Sequence, residues 1–266
     1  MKIGFIGTGN MGGALARAAA KTVDPSTLYF SNRTSAKTEV LAAELGAQPS
    51  NNFSIAAQCD YIFLGVKPQM MEDLLVSLHT TLKERTTPCT LISMATGLTL
   101  EALHAMAGLD LPILRIMPNT ACAAGAGLTL YAKNAAVSDA QEADFLHILS
   151  VSGTVEPLDE HLMDAASTIS GCGGAFACLF LEALADGGVV CGLPRDKAQR
   201  YAAQMLLGAA TLAQESGDHP GVMKDAICSP GGTTIAGVRA LEERGFRAAA
   251  MNAVIAAYER TLELKK

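Results

Sequence analysis

Six residues near the start of the chain, Gly7-Thr8-Gly9-Asn10-Met11-Gly12, have the spacing G-x-G-x-x-G. The pattern carries meaning only between a strand and a helix. Here the apolar run Ile3–Ile6 precedes it, and the Ala-rich stretch Asn10–Lys21 follows it. In that context Gly7 permits a tight turn, Gly9 lets a pyrophosphate approach the backbone, and Gly12 lets the helix pack on the strand. The amides at the helix start, around Thr8, Asn10 and Met11, face the phosphate charge. The end of the second strand then discriminates between nucleotides. An NAD site places Asp or Glu there, about 20 residues on, against the ribose 2′-hydroxyl. This chain has Ser31-Asn32-Arg33-Thr34, with no carboxylate. Arg33 pairs with a 2′-phosphate, and the hydroxyl of Ser31 and the amide of Asn32 can add donors. The expected cofactor is NADPH, with NADH as the weaker alternative.

A second glycine-rich loop, Ser229-Pro230-Gly231-Gly232-Thr233-Thr234, leads into a helix. Its amides form a natural anion site, and the hydroxyls of Ser229, Thr233 and Thr234 can add to it. In a chain of net charge −6, such a loop is where a substrate carboxylate would sit. Val66-Lys67-Pro68-Gln69 and Met117-Pro118-Asn119 each end a strand at the sheet's carboxyl edge, where ligands bind. Val66, Lys67 and Pro68 are expected beside the cofactor, and Asn119 as an orienting amide on its nicotinamide side. No histidine stands out as catalytic, and His219 before Pro220 reads as a helix cap. Seven cysteines without a C-x-x-C pair read as reduced and mostly buried. Their spacing gives a zinc site little support, so no metal is expected.

The elements that must position these residues change character along the chain. Strands at Ile3–Ile6, Leu28–Phe30, Tyr61–Val66, Leu91–Met94 and Ile113–Met117 alternate with helices at Asn10–Lys21, Ser35–Leu45 and Leu100–Ala107. Such alternation predicts a parallel sheet covered on both faces. Ser138 and Gln141 make a capping box for a helix through Leu149, Gly153 closes it, and a strand at Thr154–Pro157 ends the domain. Beyond Asp159 only helices are expected: His161–Val190, one from Pro194 through Glu215, His219–Cys228, Thr233–Arg244 and Phe246–Leu264. The fold class is therefore α/β, a Rossmann-type doubly wound sheet over residues 1–158, followed by an all-helical domain over 159–266. The helical half carries Ala and Leu on most faces, more than one small bundle needs, which favours a dimer. Half the chain is apolar and 17% is charged. There is no basic run for nucleic acid and no secretory signal. The apolar stretch Ala165–Leu181 contains Gly171, Gly173 and Gly174 and is cut by Glu182, which suits a buried helix better than a membrane span.

These motifs together resemble the pyrroline-5-carboxylate reductase family, over nearly the whole length. The resemblance rests on Gly7–Gly13, Ser31-Asn32-Arg33, Val66–Gln69, Met117–Asn119, Ser170–Phe176, Glu182–Gly188, Gly192–Arg195 and above all Ser229–Gly237. It implies hydride transfer from NADPH to the C=N carbon of 1-pyrroline-5-carboxylate, giving L-proline; the reduced cysteines suit a cytoplasmic enzyme. It also implies an interlocked helical homodimer, in some members built into a decamer. Ser167 stands where the family has a Thr near the ring nitrogen, which makes Ser167 and Thr234 the expected catalytic hydroxyls. Where the family reads S-G-S-G-P-A, this chain has Cys172 and Gly174 for the second Ser and the Pro. Two other readings compete. β-Hydroxyacid dehydrogenases share the architecture and use a helix lysine, but Ser167–Glu182 contains none. A non-catalytic NADP-binding regulator would keep the first glycine loop and lose Ser229–Thr234, which is intact here.

Overall fold

The structure, a computed structural model, describes residues Met1–Glu263. The main bodies of its two compact units are Met1–Gly171 and Cys172–Arg260. The first unit runs β1 (Ile3–Ile6), α1 (Asn10–Ala19), β2 (Leu28–Ser31), α2 (Ser35–Leu45), β3 (Gln48–Pro49), α3 (Asn52–Gln58), β4 (Tyr61–Leu64), α4 (Met71–Lys83) and β5 (Thr90–Ser93). It continues with α5 (Leu100–Ala107), β6 (Ile113–Met117), β7 (Gly127–Lys133), α6 (Asp139–Ile148), β8 (Gly153–Pro157) and α7 (Met163–Ser167). The eight strands form one sheet in the order β3-β2-β1-β4-β5-β6-β7-β8. The chain goes one way from β1 to β2 and β3, then returns to β4 on the other side. That reversal opens a crevice at the carboxyl ends of β1 and β4, the place where such sheets bind ligands.

Strands β1 to β6 are parallel, as the alternation predicts, but β7 is antiparallel to β6 and β8 parallel to β7. The link from Met117 to Gly127 is too short for a crossover, which needs a dozen residues or more, so β7 turns straight back. The two sheet faces bury separate cores. Phe5, Phe30 and Phe63 lie on one face, with Phe5 stacked on Phe63 at 4.5 Å and edge-on to Phe30 at 5.7 Å. Ile6, Ile62 and Leu64 lie on the other, under Ile55 of α3 and Leu75 and Leu78 of α4. This is the two-residue alternation of a strand covered on both sides. Local signals end the helices where expected: Gly46 after α2 is left-handed at φ +73°, and the Ser138–Gln141 capping box forms.

The predicted single helix His161–Val190 is broken into α7, a π-helical turn at Thr168–Cys172, and a helix from Gly173. Two side chains bond back to the helix carbonyls there, Ser167 Oγ to Asp164 O and Thr168 Oγ1 to Ala165 O, both at 2.7 Å. Three glycines follow, and both features weaken the regular helix. The second unit holds α8 (Gly173–Val190), α9 (Arg195–Ser216), α10 (Pro220–Ile227), α11 (Thr233–Glu243) and α12, which is described over Phe246–Glu263. The expected end of that helix, Leu264, lies outside the described residues. Pro194 caps α9 from outside instead of opening its first turn. His219 caps α10 as read from sequence, its Nδ1 accepting from the Gly221 amide at 3.0 Å.

The second unit buries little of itself. Among its described residues only Ala185, Ala198 and Ala202 are buried. Leu179, Val190, Leu207, Met251 and Ile255 are all more than half exposed. The cysteines divide accordingly: Cys59, Cys89 and Cys122 are buried, while Cys172, Cys178 and Cys191 are exposed, so "mostly buried" holds only for the first unit. Burial pushes the Cys59 thiol up to about 12 and raises that of Cys89, which leaves both unreactive.

Candidate active site

The first glycine loop is built by close backbone contact. Gly7 has φ +95°, and its amide donates to Ser31 O at 2.8 Å, tying the loop to the end of β2. A Cβ on Gly12 would stand 2.2 Å from Gly7 O, and one on Gly65 only 2.3 Å from the same atom. Gly7, Gly12 and Gly65 therefore interlock around one carbonyl. Gly65, 58 positions from Gly7 in sequence, was not identified from the motif. Gly9 differs: nothing lies within 4 Å of a Cβ built on it. Its side is open for an external group, not filled by the protein. As the N-cap of α1 it carries no side chain, and the first turn has no acidic residue. The amides of that turn and the helix dipole are thus left for an anion. These features fit a dinucleotide pyrophosphate.

The loop opens onto a groove of about 800 Å³ whose lining brings together Gly7, Gly9, Ser31, Asn32, Arg33, Val66 and Lys67. Thr8, Asn10, Met11 and Gly12 belong to the same turn and helix start but do not line the groove. Pro68 opens a 3-10 turn that leads into α4. The end of β2 is wired more tightly than its sequence shows. Ser31 is buried, and its Oγ lies 2.6 Å from Asn52 Oδ1, to which it donates. Asn32 Oδ1 accepts the Arg33 amide at 2.8 Å, and its amide nitrogen reaches Thr8 Oγ1 at 3.5 Å. The Ser31 hydroxyl hydrogen is therefore taken, and Asn52 presents its NH2 group in its place. Arg33 is exposed, and among the described residues its guanidinium has no hydrogen-bond or ion-pair partner. The charged lining consists of Arg33, Lys67 and one carboxylate, Asp73 of α4. Sequence reading missed Asn51, Asn52, Phe53, Asp73 and Ser77 on this groove. Asn51 alone had a local signal, an N-cap whose Oδ1 accepts the Ser54 amide at 2.9 Å.

A third cluster surrounds the end of β6. Arg115 is fully buried, 1% exposed, and forks to Glu160 Oε1 at 3.1 Å and Asp164 Oδ1 at 3.0 Å. Glu160 Oε1 also accepts the Leu100 amide at the start of α5, at 2.7 Å. Farther along, Asn119 donates from Nδ2 to Ser170 O at 2.9 Å and accepts Leu128 N at 3.4 Å. β6 and the residues just after it thus hold the segment 160–170 at both ends, through Arg115 and through Asn119. The expected cofactor residue Asn119 has its oxygen and one N–H engaged within the fold. Ser167 lies between these anchors, buried, with its hydroxyl hydrogen given to the Asp164 carbonyl. What it presents to any ligand is lone pairs. Ser170 Oγ is buried with no partner among the described residues.

In the second unit, Ser229–Gly232 is a tight turn closed by Gly232 N to Ser229 O at 3.0 Å, with Gly231 at φ +67°. A Cβ at Gly232 would lie 2.4 Å from Ser229 Oγ and 3.1 Å from Ser229 O, so a side chain there would have to turn the Ser229 hydroxyl aside. Gly232 caps α11 without a side chain, no acidic residue stands in the first turn, and Thr233 and Thr234 are exposed. At Gly174, where the family has proline, nothing approaches within 4 Å of a Cβ. A side chain would have room at this position.

Comparison with known proteins assigns the chain. Residues 160–264 match the family described as pyrroline-5-carboxylate reductase dimerisation, and residues 2–97 that described as NADP oxidoreductase coenzyme F420-dependent. The chain is 38% identical to the pyrroline-5-carboxylate reductase of Escherichia coli over 268 residues, covering 100% of this chain and 98% of that one. It is 42% identical to that of Methanosarcina acetivorans over 270 residues, with the same coverage. Among solved structures, the Plasmodium falciparum pyrroline carboxylate reductase with NADP bound superposes with a TM-score of 0.89 at 32% identity, covering 100% of this chain and 98% of its own. A full-length relative at this identity, a matched dimerisation region and the same fold agree: this chain belongs to the pyrroline-5-carboxylate reductase family.

Proposed function

We propose that the protein reduces 1-pyrroline-5-carboxylate to L-proline with NADPH. The observation that carries the cofactor is the pairing of an open, uncapped glycine loop with a strand end that offers Arg33 and no carboxylate. NADPH, when bound, supplies the hydride that adds to the C=N carbon. The protein's own residues do the rest. The first turn of α1 holds the pyrophosphate, Arg33 and the Asn52 amide hold the 2′-phosphate, and Val66-Lys67-Pro68 form the floor beside it. Ser31 serves by orienting Asn52. The turn Ser229–Gly232 with Thr233 and Thr234 receives the substrate carboxylate through backbone amides and hydroxyls.

Ser167 acts as a hydrogen-bond acceptor. Its own hydrogen is directed at Asp164 O, so its lone pairs suit the N–H of a protonated cyclic imine. Such a substrate arrives already charged, and the protein's work is chiefly orientation. Asn119 acts indirectly, by fixing the turn after Ser167. We assign residues 1–158 to cofactor binding and residues 159–266 to substrate binding and dimerisation. The exposed apolar residues of α8, α9 and α12 would be covered by a second copy in the cytoplasm. Helical structure over Glu160–Val190 has the length and hydropathy to cross a bilayer, but Glu182 and Asp186 within it favour the dimer reading. Arg33→Ala tests the cofactor assignment. Loss of an exposed charge-assisted pair should cut the preference for NADPH over NADH by about 10- to 100-fold. A preference unchanged in Arg33→Ala would refute it.

A further inference from the structure

The groove contains one aromatic side chain, Phe53, which the phosphate contacts leave unused. Phe53 is 54% exposed, although the chain has only eight Phe, five Tyr and no Trp. An exposed aromatic forgoes burial free energy unless something covers it. Phe53 lines the same groove as Gly9, Asn32 and Arg33. Its backbone is held on both sides. Asn51 caps the helix that contains it, and Asn52 receives the Ser31 hydroxyl at 2.6 Å. The ring therefore starts from a fixed point next to the strand end that carries Arg33. Met70, itself 41% exposed, and Leu74 add further apolar surface to the groove.

A dinucleotide whose pyrophosphate lies on the Gly9 amides and whose 2′-phosphate lies at Arg33 must carry its purine past the ribose, along the same groove. A purine has a flat, apolar face and requires a partner of the same kind. We infer that Phe53 is the stacking platform for the adenine ring, and that it sets cofactor affinity independently of the 2′-phosphate. This rests on the groove being the NADPH site, as proposed above. It assigns separate tasks to two neighbouring residues. Arg33 discriminates phosphorylated from unphosphorylated ribose, and Phe53 binds the base of either.

The test is direct calorimetric binding of two cofactor fragments, 2′,5′-ADP and 5′-AMP, to the wild-type protein and to Phe53→Ala, Phe53→Tyr and Arg33→Ala. Loss of one base–aromatic stack should weaken both fragments in Phe53→Ala by a similar factor, about 10-fold. Phe53→Tyr should restore both. Arg33→Ala should weaken 2′,5′-ADP and spare 5′-AMP. Affinities in Phe53→Ala within twofold of wild type, with Arg33→Ala behaving as stated, would overturn the stacking role and leave the site standing. An Arg33→Ala protein that binds 2′,5′-ADP as tightly as wild type would instead remove the site on which the inference rests.

Discussion

Arg115→Ala is the perturbation that most directly probes how the sheet positions the segment around Ser167. In the native protein one guanidinium, 1% exposed, pairs with two carboxylates at 3.1 and 3.0 Å. Alanine would leave Glu160 and Asp164 facing the vacated space without the cation between them. Breaking a buried pair by removing one partner costs about 3–5 kcal/mol, because a charge is left in a poor solvent. Glu160 keeps 29% of its side-chain surface in water and retains the Leu100 amide, so the lower end, about 3 kcal/mol, is the better figure. In a chain of this size each kcal/mol moves the melting temperature by about 2–4 °C, giving a fall of about 6–12 °C. Calorimetry measures this directly. Arg115→Lys should recover part of it, since it restores the charge but not the two-pronged geometry. The kinetic signature is asymmetric. KM for the imine should rise, because Ser167 is held through Asp164, while binding of 2′,5′-ADP should not change, because the groove does not touch Arg115. A melting temperature within about 2 °C of wild type would refute the reasoning.

The remaining expectations concern the carboxylate loop and an acid-sensitive network. Thr234→Val should raise KM for the imine about 10-fold, as expected for one hydrogen bond to a charged group, and leave KM for NADPH unchanged; steady-state kinetics with each substrate varied in turn would show the reverse if the loop were misassigned. In the network on β7 and α6, Glu142 is held below the usual carboxylate range, first by the Lys133 ammonium at 2.5 Å and then by the Tyr131 hydroxyl at 2.7 Å. A lowered folded-state value means that its stabilisation is full above the unfolded carboxylate value, about 4.3, and is lost as pH falls through the folded value. Thermal melts should therefore show a shallower loss of stability below about pH 4.3 in Glu142→Gln than in wild type. Parallel acid limbs would count against the network.

What could be read from sequence depended on whether the signal was local. β1 and β6 are short apolar runs with sharp ends, α2 stops at a glycine, and α6 opens on a capping box. All four were legible because each signal lies within a few residues of the element it sets. The strand β7 was not expected at all, and its reversed direction follows from the length of the link before it, not from its own residues. The helix α4 carries a local signal of the same kind, with Met71, Leu74, Leu75, Leu78 and Leu82 buried at helical spacing. The site behaves the same way. Gly7, Gly9, Gly12 and Arg33 follow from a motif, and Ser229–Thr234 from a loop ahead of a helix. Asn52 and Gly65 become visible only once β2, α3 and β4 are neighbours, because each acts on a residue far away in sequence. The π-helical turn after Ser167 has no sequence signature beyond its hydroxyls and glycines.

The resemblance to the family was legible from motifs, but the hydrogen bonds that some residues within them make inside the fold were not. The Ser31 hydroxyl donates to Asn52, and the Asn119 side chain bonds Ser170 O and the Leu128 amide.

The central claim is tested most directly by following NADPH consumption as 1-pyrroline-5-carboxylate is added to the purified protein, and identifying the product. The account predicts stoichiometric oxidation of NADPH with formation of L-proline, and a higher kcat/KM with NADPH than with NADH. No turnover of the imine, with turnover of a β-hydroxy acid instead, would contradict it.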